Sequence, residues 1–567
     1  MTYTPATDDQ LLALKVSAGI GELDVEAETV EAVVRGIGEL AAAEWAPLNR
    51  IGDIEGARLE NGVVRLPDGF PEAYRAYVGQ GWNAIAAPER FGGQNMPYAL
   101  AVNVLENLGT ANMAFALLPM LTVGSIEALE HHGTPEQQAM YLPKLVSGEW
   151  AGTMNLTEPQ AGSDVGALRT IATPAGDGTY RIKGQKIFIT WGDHELAENI
   201  VHLVLARLPD APAGSKGISL FVVPKYLVKA DGSLGPRNDL KAVSLEHKLG
   251  IHASPTCVMS YGDNGECVGE IIGAPNEGLK AMFTMMNSAR INVGAQGVEL
   301  GERALQQAGA YARERIQSAR AGSADKTPVA IVEHPDVRRM LLRMRALTEA
   351  ARALLYYTAG QVDRGAMGNS ASLGRAHLLV PLIKAWGTDV GMEVTGLGVQ
   401  VHGGMGYIEE TGAAQHLRDA RIPPIYEGTN GIQAADLVTR KLELEDGGVL
   451  AALMTEIVHD AAGEAPLVRL AESCAAIGTW MREEASLDDR LAGSVPFCTM
   501  CAVAVAGWQM LRQARAVAAG EAPALAKLKP VTARYFLDQI VPEAAGLEAA
   551  ARGGAALLYS LDAGDLA

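Results

Sequence analysis

Glu427 lies in the run Arg418-Asp419-Ala420-Arg421-Ile422-Pro423-Pro424-Ile425-Tyr426-Glu427-Gly428-Thr429-Asn430-Gly431-Ile432-Gln433, just before a helix expected from about Asn430. A carboxylate held beside Ile425 and Tyr426 would have a raised pKa and suits general-base chemistry. An acid that simply favours a helix N-terminus explains the residue equally well. Upstream, Leu156-Thr157-Glu158-Pro159-Gln160-Ala161-Gly162-Ser163-Asp164 offers two hydroxyls, Thr157 and Ser163, with backbone N–H groups and a glycine that permits close approach. Such a loop suits a flat heterocycle or a phosphate. By itself it also reads as an ordinary Ser/Asp turn. Gly184-Gln185-Lys186-Ile187-Phe188-Ile189-Thr190-Trp191-Gly192 reads as a turn into a strand whose alternation places Phe188 and Thr190 on one face. An aromatic and a hydroxyl there can pack on a ring and bond its edge; equally, Phe188 is core. Finally, Gln400-Val401-His402-Gly403-Gly404-Met405-Gly406 can admit a pyrophosphate against bare backbone, or simply cap a helix at Gly403.

These segments need a scaffold, and the texture of the chain suggests one. Residues 1–150 read as helical, with an Ala/Leu/Met-rich helical run from Leu100 to Leu121. Residues 151–275 carry short β-branched runs bounded by Gly, Pro and Asp: Tyr180–Lys183, Lys186–Thr190, Ile200–Ala206, Ile218–Val223 and Cys257–Tyr261. Helical texture returns over 276–441. There Leu341, Met344, Leu347, Ala351 and Leu354 form an apolar stripe, and a helix is expected from Leu378 to Thr395 with Pro381 near its start. Gly447-Gly448 precedes a last alanine-rich helical block, 442–567. The expected fold is mainly α with a central β domain and a C-terminal helical extension.

Composition narrows the function classes. The chain has 567 residues, 48% of them hydrophobic, and a formal net charge of −19, which argues against nucleic acid as a main partner. Five Cys make no disulfide framework and no metal constellation, so a reducing cytosol is the expected compartment. Cys498-x-x-Cys501 lacks a second pair and reads as a buried helix turn. The uncharged stretch Leu491 to Leu511 reads as a buried bundle helix, and no integral membrane segment is expected. The arginines between Arg313 and Arg345 read mostly as a solvated face paired with acids.

Taken together, the four motifs match TEPxAGSD, GxKxxIT, QxxGGxG and IYEGT, in order and spacing, over residues of about 75–440. On these the chain resembles the acyl-CoA dehydrogenase family. The run Tyr407-Ile408-Glu409-Glu410 and the C-terminal extension resemble its long bacterial subgroup, which includes the 3-methylmercaptopropionyl-CoA dehydrogenases. The resemblance implies a homo-oligomeric FAD enzyme that converts an acyl-CoA to its trans-2-enoyl-CoA and passes electrons to an electron-transfer flavoprotein; the C-terminal block, whose apolar helix needs burial, favours a homodimer. The resemblance implies Glu427 as the base, and Tyr426, Gly428, Arg290 and Ser163 toward the substrate. It implies FAD contacts from Met154, Leu156, Thr157, Gly162, Ser163, Phe188, Thr190 and Thr429. It places Arg315, Gln400, Gly403 and Gly404 at the adenine dinucleotide end, across a dimer interface.

Some features depart from the family pattern. Arg315 is followed by Ile316-Gln317-Ser318 and an insertion rather than Phe-Gly; Phe188 stands where many members have Trp; Trp191 stands at a position that is usually small. Ala289 occupies the place where other members carry the base, which leaves that role to Glu427. An oxidase using oxygen and a DNA-binding alkylation-response relative are the alternative readings.

Overall fold

The computed structural model describes residues 3–567. We number only the elements used below. Helix α1, Tyr98–His132, contains the expected run from Leu100 to Leu121 and is broken at Asn112, whose φ of −159° and ψ of 88° are extended. The Asn112 side chain accepts from Phe115 N–H at 3.2 Å, so the second half of the helix starts on its own cap.

Eight strands follow: β1 Trp150–Asn155, β2 Ile171–Pro174, β3 Tyr180–Thr190, β4 Asn199–Arg207, β5 Ile218–Pro224, β6 Leu240–Leu245, β7 Thr256–Tyr261 and β8 Val268–Ile272. They run in the order β6-β7-β3-β8-β5-β4-β1, and β2 pairs with both β3 and β4, closing part of the sheet on itself. Pairing is antiparallel except for β1 on β4 and one β2–β4 pair. Ile182, Val204, Phe221 and Met259 fill the interior.

Two sequence expectations are corrected in β3. Gly184-Gln185 is not a turn: the strand runs through it unbroken, and a Cβ at Gly184 would overlap Thr170, so the glycine serves close approach. The alternation past Lys186 is also interrupted. Cys257 pairs with Ile189 but Met259 pairs with Lys186, which leaves an extra residue in β3, and Phe188 takes a φ of +58°. Lys186 and Ile189 both point inward as a result, and Phe188 is turned out, 58% exposed.

The long helices come next: α2 Gly278–Glu314, α3 Pro335–Ala366 and α4 Ser370–His402. The α4 expectation was too short. Asn369 caps the helix from Ser372 N–H at 3.0 Å, and Pro381 sits in its interior. Burial against α2, α3 and the C-terminal block outweighs the hydrogen bond that Pro381 cannot make. Helices α2 and α4 cross with almost no side chain between them. A Cβ at Gly297 would overlap the carbonyl of Gly387, one at Gly294 would lie 2.7 Å from Ile383 O, and one at Gly391 would lie 2.7 Å from Gly297 Cα. Only glycine permits that approach.

Helix α5, Asn430–Thr439, lies on α4, and α6, Ser494–Ala518, packs on α3, α4 and α5. Length and composition alone would let α1 and α6 cross a membrane, but 89% and 83% of their most apolar windows are buried inside the protein. Cys498 and Cys501 are buried in α6, burial pushes the Cys498 thiol up to about 12, and no metal-binding cluster occurs among the described residues. Most arginines of the 313–345 stretch are paired, Arg339 with Asp336 and Arg345 with Asp9 and Glu349.

A buried charge network ties these layers together. Arg352 on α3 donates to Glu106 at 2.7 Å and Glu302 at 2.9 Å, and Tyr356 OH donates to Glu106 at 2.6 Å. Lys529 of the C-terminal block donates to Glu349 at 2.7 Å and lies 3.2 Å from Asp9. Replacing Arg352→Met would leave two buried carboxylates without their cation. We expect the first urea transition, followed by circular dichroism, to show a loss of about 3–5 kcal/mol; an unchanged transition would mean the network carries no stability.

Candidate active site

One end of β3 is fastened to the loop after β1. Lys186, fully buried, donates through Nζ to Leu156 O at 3.0 Å and to Glu158 Oε1 at 2.9 Å. Ile187 N–H donates to Thr157 O at 2.9 Å, and Thr153 Oγ1 donates to Thr190 O at 2.8 Å. Burial works against the charge of Glu158, but Lys186 and donors from Thr170 and Arg169 N–H outweigh it and hold the carboxyl at about 2. Burial brings Lys186 down to about 8 against the pull of Glu158. The sequence reading missed this pair, whose lysine and acid are 28 residues apart.

The staple brings Met154, Leu156, Thr157, Phe188 and Thr190 together. Strand β1 ends the sheet, so its outer backbone edge is unpaired by any strand. Leu156, Thr157 and Thr190 are half-buried beside the exposed Phe188. Gly162 and Ser163 are exposed, and a Cβ on Gly162 would meet nothing of the chain itself. Trp191 does not enter this surface; it is buried at a φ of +53°, donates to Ala114 O at 3.2 Å beyond the α1 break, and stacks on Phe115.

Glu427 lies at the α2–α4 crossing. It takes a φ of +55°, uncommon for a residue with a side chain, and Gly428 follows at +81°. Its carbonyl accepts from Arg290 Nε at 3.4 Å and Gln433 Nε2 at 3.2 Å. Among the described residues nothing donates to its carboxylate and nothing accepts from its backbone N–H. Burial pushes the carboxyl above its ordinary value, opposed by Arg290 and Lys384. Arg290 is buried, with its Nε at the Glu427 carbonyl. Lys384, fully buried on α4, donates to Asn430 Oδ1 at 3.0 Å, and Asn430 donates to Ala385 O and Thr388, which fixes the loop to α4. No local motif marks Lys384; its one sequence signal is a lysine inside the apolar run Leu378–Trp386. Thr429 caps α5 from Ile432 N–H at 3.2 Å, and Tyr426 OH donates to Gln296 on α2.

Arg315, Gln400, Gly403 and Gly404 lie elsewhere, exposed where α2 and α4 end side by side. There Tyr311 stacks on His402 at 4.5 Å and Gln307 donates to Thr411 O at 2.7 Å. Gly403 does cap α4, at a φ of +59°, whereas Gly404 has neither a positive φ nor a crowding neighbour. The insertion after Arg315 folds back on itself through Gln317 N–H to Val329 O and Val329 N–H to Ser318 O.

Four domain families cover most of the chain. The acyl-CoA dehydrogenase N-terminal domain matches residues 28–149, the middle domain 153–263, and the C-terminal domain 276–442. A family described as acetyl-CoA dehydrogenase C-terminal like matches 451–562. The chain belongs to the acyl-CoA dehydrogenase family. It is 46% identical to the 3-methylmercaptopropionyl-CoA dehydrogenase of Ruegeria pomeroyi, over 96% of this chain and 97% of that protein. It is 33% identical to a broad-specificity linear acyl-CoA dehydrogenase of Mycobacterium tuberculosis, over 94% of each. An acyl-CoA dehydrogenase of Bacillus anthracis solved with FAD shares its fold with a TM-score of 0.76 at 21% identity, covering 93% of this chain and 88% of that one.

As a member of this acyl-CoA dehydrogenase family the protein is an oxidoreductase that dehydrogenates acyl-CoA, and its cofactor is FAD. The donor set suits the flavin: the Leu156–Thr157 backbone after β1, the Thr157 hydroxyl and an outward-turned aromatic on one surface, and an uncrowded Gly404 at another.

The electrostatics of Glu427 can be measured. A base acts deprotonated, so flavin reduction should rise with pH through the raised pKa of Glu427. Burial lowers Lys384 to about 8 against the attraction of Glu427, so Lys384 is cationic below that pH and favours the carboxylate. Removing the cation in Lys384→Met should move the acid limb of the rate profile to higher pH; a limb that stays in place or moves down would show that Lys384 does not act on the base.

Proposed function

We propose that Glu427 removes the α-proton of a bound acyl-CoA and that electrons leave to an electron-transfer flavoprotein. The observation that carries this is the pairing in one residue of a half-buried carboxylate and a backbone N–H that have no hydrogen-bond partner among the described residues. An α-proton of a thioester is only modestly acidic, so the carbonyl must be held as negative charge grows on it. The Glu427 N–H supplies one such donor at the end where its carboxylate takes the proton. Arg290 and Gln433 grip the Glu427 carbonyl and keep the strained turn in place. FAD, when bound, supplies the acceptor for the hydride that leaves the β-carbon. Leu156, Thr157, Phe188 and Thr190 hold its ring system, with Met154, Gly162, Ser163 and Thr429 beside them. Arg315, Gln400, Gly403 and Gly404 serve the dinucleotide end in a homodimer. The name of the Ruegeria relative makes 3-methylmercaptopropionyl-CoA the first substrate to try, and the acidic chain is assigned to the cytoplasm.

The purified protein should release FAD on denaturation, bleach anaerobically with an acyl-CoA, and reduce an electron-transfer flavoprotein; rapid peroxide formation in air would instead mark an oxidase. Glu427→Gln keeps size and hydrogen bonding but removes the base. It should retain FAD and bind acyl-CoA, yet slow flavin reduction by about a hundredfold or more. Reduction within about tenfold of wild type, only ~1.4 kcal/mol of barrier, would place the base elsewhere. Light scattering tests the assembly, with a dimer expected and a tetramer or monomer contradicting it.

A further inference from the structure

Inside the sheet, behind the Leu156–Thr157 loop, three buried side chains meet. Asn155 ends β1, His202 lies on β4 and Tyr261 ends β7, and none is more than 1% exposed. Tyr261 OH donates to Asn155 Oδ1 at 2.7 Å. Asn155 Nδ2 donates to His202 Nδ1 at 3.3 Å and to Thr153 O at 3.4 Å. The Thr153 carbonyl can only accept, so it fixes which end of the Asn155 amide faces it. His202 Nδ1 therefore accepts, and the ring proton sits on Nε2, which is buried without a hydrogen-bond partner. Burial, with Lys225 and Arg237 nearby, pushes the imidazole down to about 3, so it stays the neutral acceptor that this arrangement needs. Beyond Nδ1 the ring is held by packing, edge-on to Tyr261 with ring centres 6.2 Å apart.

The cluster joins strands that the backbone does not. Strand β1 pairs with β4 alone, whereas β7 pairs with β6 and β3. Asn155 reaches from β1 to Tyr261 across the interior, and Tyr261 stands opposite Gly184 of β3, the strand that carries Phe188 and Thr190. Asn155 is also the residue between Met154 and Leu156, and strand alternation turns its side chain to the opposite face from theirs.

We infer that Asn155 is a positioning residue for the flavin: through Tyr261 and His202 it fixes the end of β1, and with it the Leu156–Thr157 backbone that faces the cofactor. Lys186 grips Leu156 O, and Asn155 holds the residue before it. A buried network in which each hydrogen bond sets the next defines a geometry that a single bond would leave loose. The inference rests on the reading that Leu156 and Thr157 hold the ring system.

The test strips FAD from the folded full chain, titrates it back, and records its dissociation constant and the visible absorption of the bound flavin. Asn155→Ala should weaken FAD by about tenfold, the worth of one buried hydrogen bond, and alter the absorption bands. Tyr261→Phe, which removes a single hydroxyl, should act in the same direction. The double variant should lose about as much as Asn155→Ala alone, since one network is removed once. His202→Asn puts an amide oxygen near the place of Nδ1 and should stay close to wild type, whereas His202→Leu should resemble Asn155→Ala. A role confined to stability would lower the urea midpoint without this rescue in the cofactor readouts. FAD affinity within about twofold of wild type in both Asn155→Ala and Tyr261→Phe, or equal losses in His202→Asn and His202→Leu, would overturn the inference. Should Asn155→Ala fail to fold, Tyr261→Phe decides it alone. Thr157→Val separates the inference from the reading beneath it. Unchanged FAD affinity in Thr157→Val would remove the loop from the cofactor and the inference with it. A loss there, beside unchanged Asn155→Ala and Tyr261→Phe, would overturn the inference only.

Discussion

The glycine-lined crossing of α2 and α4 is the constraint from which the rest of the site follows. Gly294 and Gly297 on one helix meet Gly387 and Gly391 on the other, with backbone almost against backbone. Arg290 lies one turn before Gly294, and Lys384 one turn before Gly387. Bringing the helices this close sets two cations on either side of the loop that carries Glu427. It also leaves that loop little freedom, which is how a non-glycine residue persists at a φ of +55°. A Cβ at Gly297 would push the helices apart and loosen both cations and loop at once.

The β domain solves a different problem with the same economy. A cofactor surface must present backbone and hydroxyls without collapsing onto them. The buried Lys186–Glu158 pair holds the Leu156–Thr157 loop against β3 from behind, so the groups facing outward are spared. The bulge then rotates Phe188 away from the interior, where regular alternation alone would not expose it so fully. A buried pair of this kind costs desolvation, and conformational definition of the loop is the return on it.

Much of this was legible in the residues. The order of helical and β textures followed from hydrophobic period, Gly403 was readable as a helix cap, and Ile425 and Tyr426 beside Glu427 announced a raised pKa. What was hidden depends on tertiary pairing. Nothing local says that Lys186 will find Glu158, that Lys384 will face Glu427, or that a residue of β3 will be squeezed out opposite Val258. The length of α4 was misjudged because Pro381 is penalised by propensity and rescued by packing that only the fold reveals. Nor does anything local say that Arg290 will donate to the Glu427 carbonyl, since its depth depends on how closely α2 meets α4.

Two glutamates on this side of the molecule show how environment separates identical groups. Glu427 and Glu299 are both pushed up by burial. For Glu427 the cations Arg290 and Lys384 oppose that push. Glu299 has no such cation and has Glu106 as a further repulsive neighbour, because Arg352 spends its charge on Glu106 and Glu302. Tyr426 sits between them, feeling both carboxylates while bonded to Gln296. The two carboxyls thereby differ in how far each is held from ionising, a difference set by where the cations of α2, α3 and α4 fall rather than by residue type.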